Sequence, residues 1–324
     1  NGGEISRFIR QLEIEKIHKV DHKILVAETP IIKKRILEIR KSPNIIKKLK
    51  EIANKGFTAS MLSSYIKNPI TFYYEKILKV YEEDLMEETI AHNTIGSVIH
   101  DTLEELYAPI KNKILKTEDV KEMMKIKDEI IDNHFQKKFK EGNINKGKNL
   151  IIVEICKRYI HNFLKKEINN IEEGNIINII GIEEKFEYSI NLSDKMKDIK
   201  IKGKIDRIDS INGVTRIIDY KTGRQILQSD LKIKDYDDIF NNKKYSNIFQ
   251  LLFYCLAIEQ DKKYNFPVES GIISFRNIDN GVIKTTYQDK STKVTTEKLK
   301  GYKEGLSKLI SDILEINIPF IEKP

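Results

Sequence analysis

Hydrophobic residues change their spacing along the chain, from a helical period in the first half to a strand period near the centre. Apolar positions at residues 95–106 recur three and four apart, which predicts an amphipathic helix, and residues 118–170 predict a long helical region with one interruption. Residues 176–220 predict three strands. Three further elements are predicted after them: an apolar helix at Lys244–Gln260, a hairpin at 270–288 and an amphipathic helix at Lys293–Leu314. This order predicts a mixed α/β fold with most of the sheet in the C-terminal half.

The first 55 residues contain few apolar positions that could build a core. Weak alternation at residues 22–32 predicts a strand, and a basic helical stretch follows it. We interpret residues 1–55 as the tail of a preceding domain with a linker, and residues 56–324 as a second domain. Within that domain, the helical part is predicted at about 56–175 and the sheet core at about 176–324.

The segment Gly203–Gly223 combines a strand pattern with charged side chains that could act together. Its Asn212-Gly213 pair is a strong hairpin signal, so the apolar runs on either side predict two antiparallel strands. Asp206 lies on the first of these strands. Asp219 and Lys221 lie two residues apart on the second and therefore project from one face of it.

Two carboxylates and a lysine in this arrangement suit the metal-dependent hydrolysis of a phosphodiester. Magnesium-type ions take oxygen ligands, and a lysine beside them can orient or deprotonate the attacking water and offset charge on phosphorus. The alternative is a hairpin whose two acids and lysine are simply exposed to solvent. The apolar surroundings favour a site, because an unpaired carboxylate inside a core is costly.

Two predicted helices carry polar residues on otherwise apolar faces. His100 follows Gly96 by one turn, and the glycine leaves room for a backbone or a metal to approach. A histidine in such a place is more often a satisfied core residue than a ligand. Gln250 and Tyr254 lie four positions apart and share one helix face, where they either satisfy each other or face a site.

Composition narrows the class of protein only slightly. The net charge of +8 and the isoelectric point near 9.0 are compatible with a polyanionic partner such as nucleic acid. Cys156 and Cys255 lie in apolar helical patterns and indicate reduced core thiols. No apolar run approaches the roughly 18 residues of a membrane helix, and the first residues do not resemble a signal peptide, so we expect a cytoplasmic protein.

Two short motifs suggest other activities and are rejected. Gly142–Lys148 has the spacing of a phosphate-binding loop, but Asn149 follows it instead of the Ser or Thr that holds magnesium, and the preceding segment is helical. The elements of penicillin-recognising enzymes also occur, in the wrong order. They are Ser64-x-x-Lys67, Lys221-Thr222-Gly223 and Tyr245-Ser246-Asn247.

Five stretches together resemble the RecB/AddB-type nucleases of the PD-(D/E)XK superfamily, and they occur in that family's order. They are FTASMLSSYIKNPITFYYEKIL, GSVIHDTLEELY, GKIDRID, IIDYKTG and QLLFYCLA, which span roughly residues 57–275. The resemblance implies a restriction-endonuclease-like core, in which helices flank a central mixed β-sheet, with a large helical N-terminal insertion.

The resemblance also implies a role for each matching residue. The metal ligands would be His100, Asp206, Asp219 and the backbone carbonyl of Tyr220, and the catalytic residues would be Asp206, Asp219 and Lys221. Gln250 and Tyr254 match a pair that shapes the site or contacts DNA. Glu184 occupies a position where some members carry another acid.

Cofactors and partners follow from the same resemblance. It implies Mg²⁺ or Mn²⁺, DNA as substrate, and either an AddA/UvrD-like helicase subunit or a helicase-like part of the same longer protein, to which residues 1–55 would belong. Many relatives bind an iron–sulfur cluster through four cysteines. Asn68 stands at the first of those positions, so we do not expect a cluster in this chain.

The sequence therefore predicts a metal-dependent DNA nuclease, an exonuclease that processes DNA ends in recombinational repair, with no membrane partner. The alternative is a catalytically inactive DNA-binding or scaffold module of a helicase–nuclease complex. A titration with Mn²⁺ separates the two, because the alternative requires no metal binding at His100, Asp206 and Asp219.

Overall fold

The computed structural model describes residues 6–19, 21, 23, 36–81, 90–139, 143–192 and 197–323, which divide into two compact units. The smaller unit, Asn1–Ile36, contains helix α1 (Arg7–Glu15), and the larger is Leu37–Pro324. The strand predicted at residues 22–32 falls outside the described residues except at Lys23. The domain boundary predicted after residue 55 stays a prediction.

Helices of the larger unit occur before, between and after its strands. They are α2 (Pro43–Lys55), α3 (Ala59–Lys67), α4 (Pro69–Phe72), α5 (His92–Tyr107), α6 (Thr117–Lys138), α7 (Gly147–Glu172), α8 (Tyr236–Asn241), α9 (Ser246–Glu259) and α10 (Thr296–Leu314). A π-helical segment, Tyr73–Leu78, extends α4. Asn68 caps α4 through its Oδ1, which accepts a hydrogen bond from the backbone N of Ile70 at 3.0 Å.

The strands form one mixed sheet of seven strands and one small pair. They are β1 (Glu38–Ile39), β2 (Lys113–Ile114), β3 (Ile177–Ile190), β4 (Ile199–Ile211), β5 (Val214–Lys221), β6 (Val268–Ser274), β7 (Val282–Lys284), β8 (Lys293–Val294) and β9 (Phe320–Ile321). The large sheet has the order β2-β3-β4-β5-β6-β7, with β8 also paired to β6, while β1 pairs with β9. Only β5 and β6 run parallel among these pairs.

Two hydrophobic cores cover the two faces of this sheet. Successive residues of β5 alternate between them, since Ile217 packs with α9 and α10 whereas Ile218 packs with α5, α6 and α7. The parallel β5–β6 pair requires a crossover, and α8 and α9 supply it. The predicted restriction-endonuclease-like α/β fold, a mixed sheet with helices on both faces, is confirmed.

The predicted central hairpin forms as β4, a two-residue turn and β5. Asn212 and Gly213 have φ values of 51° and 84°, and both residue types tolerate this left-handed region. The hairpin predicted at 270–288 is shorter, because a 3₁₀ segment, Phe275–Asn280, joins β6 to β7. Gly142 lies outside the described residues, but α6 before it is helical, in agreement with the rejection of a phosphate-binding loop.

A buried ionic cluster connects β4 to β5 and to α7 on the face away from α9. Asp209 accepts hydrogen bonds from Arg216 Nε at 2.7 Å and Nη2 at 2.8 Å, and from Arg207 Nε at 2.6 Å. Arg207 also donates to Glu167 at 3.1 Å. Burial by itself would raise the pKa of Asp209, but the two guanidinium groups lower it below its usual range.

None of the helices in the described ranges is both long enough and apolar enough to cross a membrane.

We predict that Asp209→Asn lowers the free energy of unfolding by about 3–5 kcal/mol, because it leaves two arginines without their shared partner in the core. Urea unfolding at neutral pH measures this loss. Asp279→Asn, an exposed position, is the matched control and should change stability by less than about 0.5 kcal/mol. Equal stability of the two variants would contradict the structural role of the cluster.

Candidate metal centre and catalytic lysine

The candidate site forms where β3, β4 and β5 lie side by side. The pairs Ile182–Arg207 and Glu184–Ile205 flank Glu183 and Asp206, so these two acids lie opposite each other on β3 and β4. Glu183 has a φ of 47°, which is unusual for a residue other than glycine and turns its side chain from the regular alternation of the strand. Both carboxylates are buried.

His100 reaches these acids from α5. Its Nδ1 lies 2.9 Å from Glu183 Oε1, a hydrogen bond in which the carboxylate accepts, and 3.6 Å from Asp206 Oδ1. Gly96 lies one turn before His100 near the end of β5, where an added Cβ would make an ordinary contact of 3.5 Å with Thr222 Oγ1. Burial by itself would lower the pKa of His100, but Glu183, Asp206 and Asp219 raise it to about 9.

Asp206 is a buried carboxyl group of the site with a raised pKa. Its Oδ2 accepts a hydrogen bond from the backbone N of Tyr220 at 2.8 Å. Burial, followed by the negative charge of Asp219, raises the pKa of Asp206 to about 7. At neutral pH this residue therefore exchanges readily between its protonated and ionised forms.

A chain of polar contacts joins Asp219 to α9. Lys221 Nζ lies 2.8 Å from Asp219 Oδ2 and donates to Gln250 Oε1 at 3.0 Å. Gln250 Nε2 in turn donates to Tyr254 Oη at 2.7 Å. The two polar residues of this apolar helix thus satisfy each other and also face the lysine.

The backbone of Tyr220 also lies in the candidate site, beside Asp206. Its N–H bonds Asp206, and because N–H and C=O of one residue in an extended strand point to the same side, its carbonyl also faces β4. The β4–β5 register ends at Arg207–Ile218, one position before Asp206 and Asp219. The predicted use of this carbonyl as a ligand is compatible with that orientation and stays a prediction.

Comparison with known protein families identifies the superfamily to which the chain belongs. A model of the PD-(D/E)XK nuclease superfamily matches residues 56–324. The chain belongs to that superfamily. Membership implies a hydrolase that acts on phosphodiester bonds. A search of curated proteins found no match.

The structure adds to the predicted site of this superfamily member one acid that the sequence pattern did not single out. Glu183, not Glu184, contacts His100, while Glu184 lies on the other side of the strand and forms an ion pair with Lys111. Both are glutamates in one strand, and strand alternation alone cannot choose between them. The left-handed backbone at Glu183 directs this side chain, rather than that of Glu184, toward His100. The residue types in this segment do not indicate such a backbone conformation.

The residues present fit a divalent metal ion. Ligand atoms of His100, Glu183 and Asp206 all lie within 4.8 Å of one another. Glu183 Oε2 and Asp219 Oδ2 are buried, and each forms an ion pair with one lysine, Lys204 and Lys221 respectively. Asp219 lies outside the three-residue group, although its charge acts on both His100 and Asp206. Carboxylate oxygens with one imidazole form a donor set that Mn²⁺ and Mg²⁺ accept.

We predict that Mn²⁺ binds more tightly as the pH rises from below about 7 to above about 9, because the metal must displace protons from Asp206 and His100. Calorimetric titration in buffers of different ionisation enthalpy measures both the affinity and the protons released. An affinity that stays constant across this range, with no proton release, would contradict the assignment.

We also predict that Glu183→Gln weakens Mn²⁺ binding by about 10–100-fold, the usual effect of losing a carboxylate that holds a metal-binding histidine. Glu184→Gln is the matched control on the next residue and should bind as the wild type does. Equal affinities for both variants would remove Glu183 from the site.

Proposed function

We propose that the chain is a Mg²⁺- or Mn²⁺-dependent DNA nuclease of the RecB/AddB-like branch. It acts as an exonuclease on DNA ends in recombinational repair. Its partner is an AddA/UvrD-like helicase subunit or a helicase-like part of the same longer protein. The five motifs in family order support the branch, the substrate and the partner, and the basic net charge is compatible with DNA.

The observation that carries the nuclease assignment is the position of Lys221. It projects from the strand that holds Asp219 and lies beside that acid, next to the His100, Glu183 and Asp206 group. Burial by itself would lower the pKa of Lys221, but Asp219 and Asp206 raise it above its usual value. The lysine therefore keeps its proton, and a cation with donors to spare suits the orientation of water and the stabilisation of charge on a phosphate.

The residues of α9 hold that cation in place. Lys221 donates one hydrogen bond to Gln250 and directs a second N–H toward Asp219, which leaves one of its three N–H groups for water or substrate. Tyr254 fixes Gln250, and burial with the nearby charges of Asp219 and Asp206 raises the pKa of Tyr254, so its hydroxyl stays neutral. A divalent ion held among His100, Glu183 and Asp206, with Asp219 beside them, would supply a Lewis acid for the phosphate and lower the pKa of an attacking water.

We predict that Asp219→Asn lowers cleavage of linear DNA at least about 100-fold, because it removes a carboxylate ligand and the ion partner of Lys221. The assay follows end-labelled linear and circular DNA with Mg²⁺ or Mn²⁺, and loss of linear DNA alone would support exonuclease action. Asp279→Asn is the control and should cleave normally. Unchanged metal-dependent cleavage by Asp219→Asn, with its fold intact by circular dichroism, would refute the nuclease site.

A further inference from the structure

A row of lysines leads along β4 to the candidate metal centre. Lys200, Lys202 and Lys204 occupy alternate positions, and Asp206 is the next residue of that series. A Cβ at Gly56 would lie 3.4 Å from carbons of Lys202 and 3.5 Å from Lys200 Cβ, so the side chains of these two lysines both pack beside Gly56. At about 6.6 Å for every two residues of a strand, the row extends about 20 Å from Asp206.

The neighbouring strand widens this row into a shallow cavity of about 510 Å³. Lys185 pairs with Lys204 across β3 and β4 and lines the cavity with Lys202, Lys204 and Thr58. The chain at Phe57 closes one side, because its backbone exchanges hydrogen bonds of 2.9 Å with Lys200 and Lys202. The segment at Phe57 therefore lies along the cavity, and Lys204, the ion partner of Glu183, connects the cavity to the candidate metal centre.

Positive charge in this cavity is largely uncompensated. Lys204 forms an ion pair with Glu183 of the candidate metal centre. Within the described ranges, Lys185, Lys200 and Lys202 form no ion pair. The acid that lines the cavity with Lys185 and Lys202 is Glu187, which lies opposite Lys202 across β3 and β4. Like charges so close together disfavour the protein alone and favour a bound polyanion.

We propose that this lysine track, Lys185, Lys200, Lys202 and Lys204, holds the backbone of one nucleic-acid strand as it enters the active site. The proposal rests on the proposed nuclease function, since it is the phosphodiester chemistry of the site that selects this polyanion. The track contacts phosphates, so it binds strands of different sequence about equally. Its length suits a few successive nucleotides of a single strand.

The test measures binding of a fluorescent single-stranded oligonucleotide by anisotropy, in EDTA so that nothing is cleaved, over a range of salt concentrations. The variant is the triple change Lys185→Gln, Lys200→Gln and Lys202→Gln. Lys204 is left intact because it contacts the site itself. Each phosphate contact on a single strand contributes about 0.7 to the slope of log affinity against log salt, so we expect the slope to fall by about 2.

The control removes the same charge from exposed lysines on α6 and α10, by Lys121→Gln, Lys300→Gln and Lys308→Gln. We expect this control to keep most of the wild-type slope and affinity. Equal losses in both triple variants would overturn the track and leave only a general effect of net charge. An unchanged slope in the track variant, with wild-type thermal unfolding, would also overturn it.

The binding assay separates this proposal from the nuclease assignment. A wild-type protein that binds the strand through the three lysines but cleaves nothing would refute the nuclease and retain the track. If the wild-type protein cleaves DNA and the track variant binds the strand as tightly as the wild type, the nuclease assignment is supported and the track is refuted. In an active protein the track variant should raise the substrate concentration for half-maximal rate and leave kcat nearly unchanged.

Discussion

The central constraint on this structure is the burial of three carboxylates close to one another. Glu183, Asp206 and Asp219 are buried together, and such a group is stable only if cations or protons compensate it. His100, Lys204 and Lys221 supply three cations, each in contact with at least one of the acids. The raised pKa values of His100 and Asp206 have the same cause, because in the absence of a metal ion bound protons reduce the negative charge of the buried acids.

The same balance explains why the site suits a divalent ion. A divalent ion that binds between the acids and His100 replaces the positive charge of the His100 proton. Metal binding is therefore coupled to the release of that proton. Lys221 keeps its proton and is held by Asp219 and Gln250. Asp209 and its two arginines also hold β4 against β5, and Arg207 connects β4 to Glu167 of α7.

Much of this could be predicted from the sequence, because regular strands and helices follow hydrophobic period. The Asn212-Gly213 turn fixed the hairpin, and the parity of Asp219 and Lys221 placed them on one face. Asp206 and Asp209 stand in one motif, yet Asp209 is fully paired with arginines in the core whereas Asp206 faces the site. The apolar hairpin pattern singled out Asp206 with Asp219 and Lys221, and the resemblance to known nucleases gave Asp206 its expected role as a metal ligand.

Two features lay beyond the sequence for physical reasons. The left-handed backbone at Glu183 reverses the alternation that strand parity assumes, and the acid that the family resemblance had suggested was the adjacent Glu184. The row of lysines on β4 is visible in the sequence, but its meaning depends on Lys185 from β3 and on Phe57 from the segment before α3. Such contacts between distant segments come only from the folded chain.

The most direct test of the account is a crystal structure of the protein grown with Mn²⁺, with anomalous data collected near the manganese absorption edge. The account predicts an anomalous peak among His100, Glu183 and Asp206, beside Asp219, and none in crystals of the Asp206→Asn variant. A peak at another place, or none at saturating Mn²⁺, would contradict the claim that these buried acids form a metal centre.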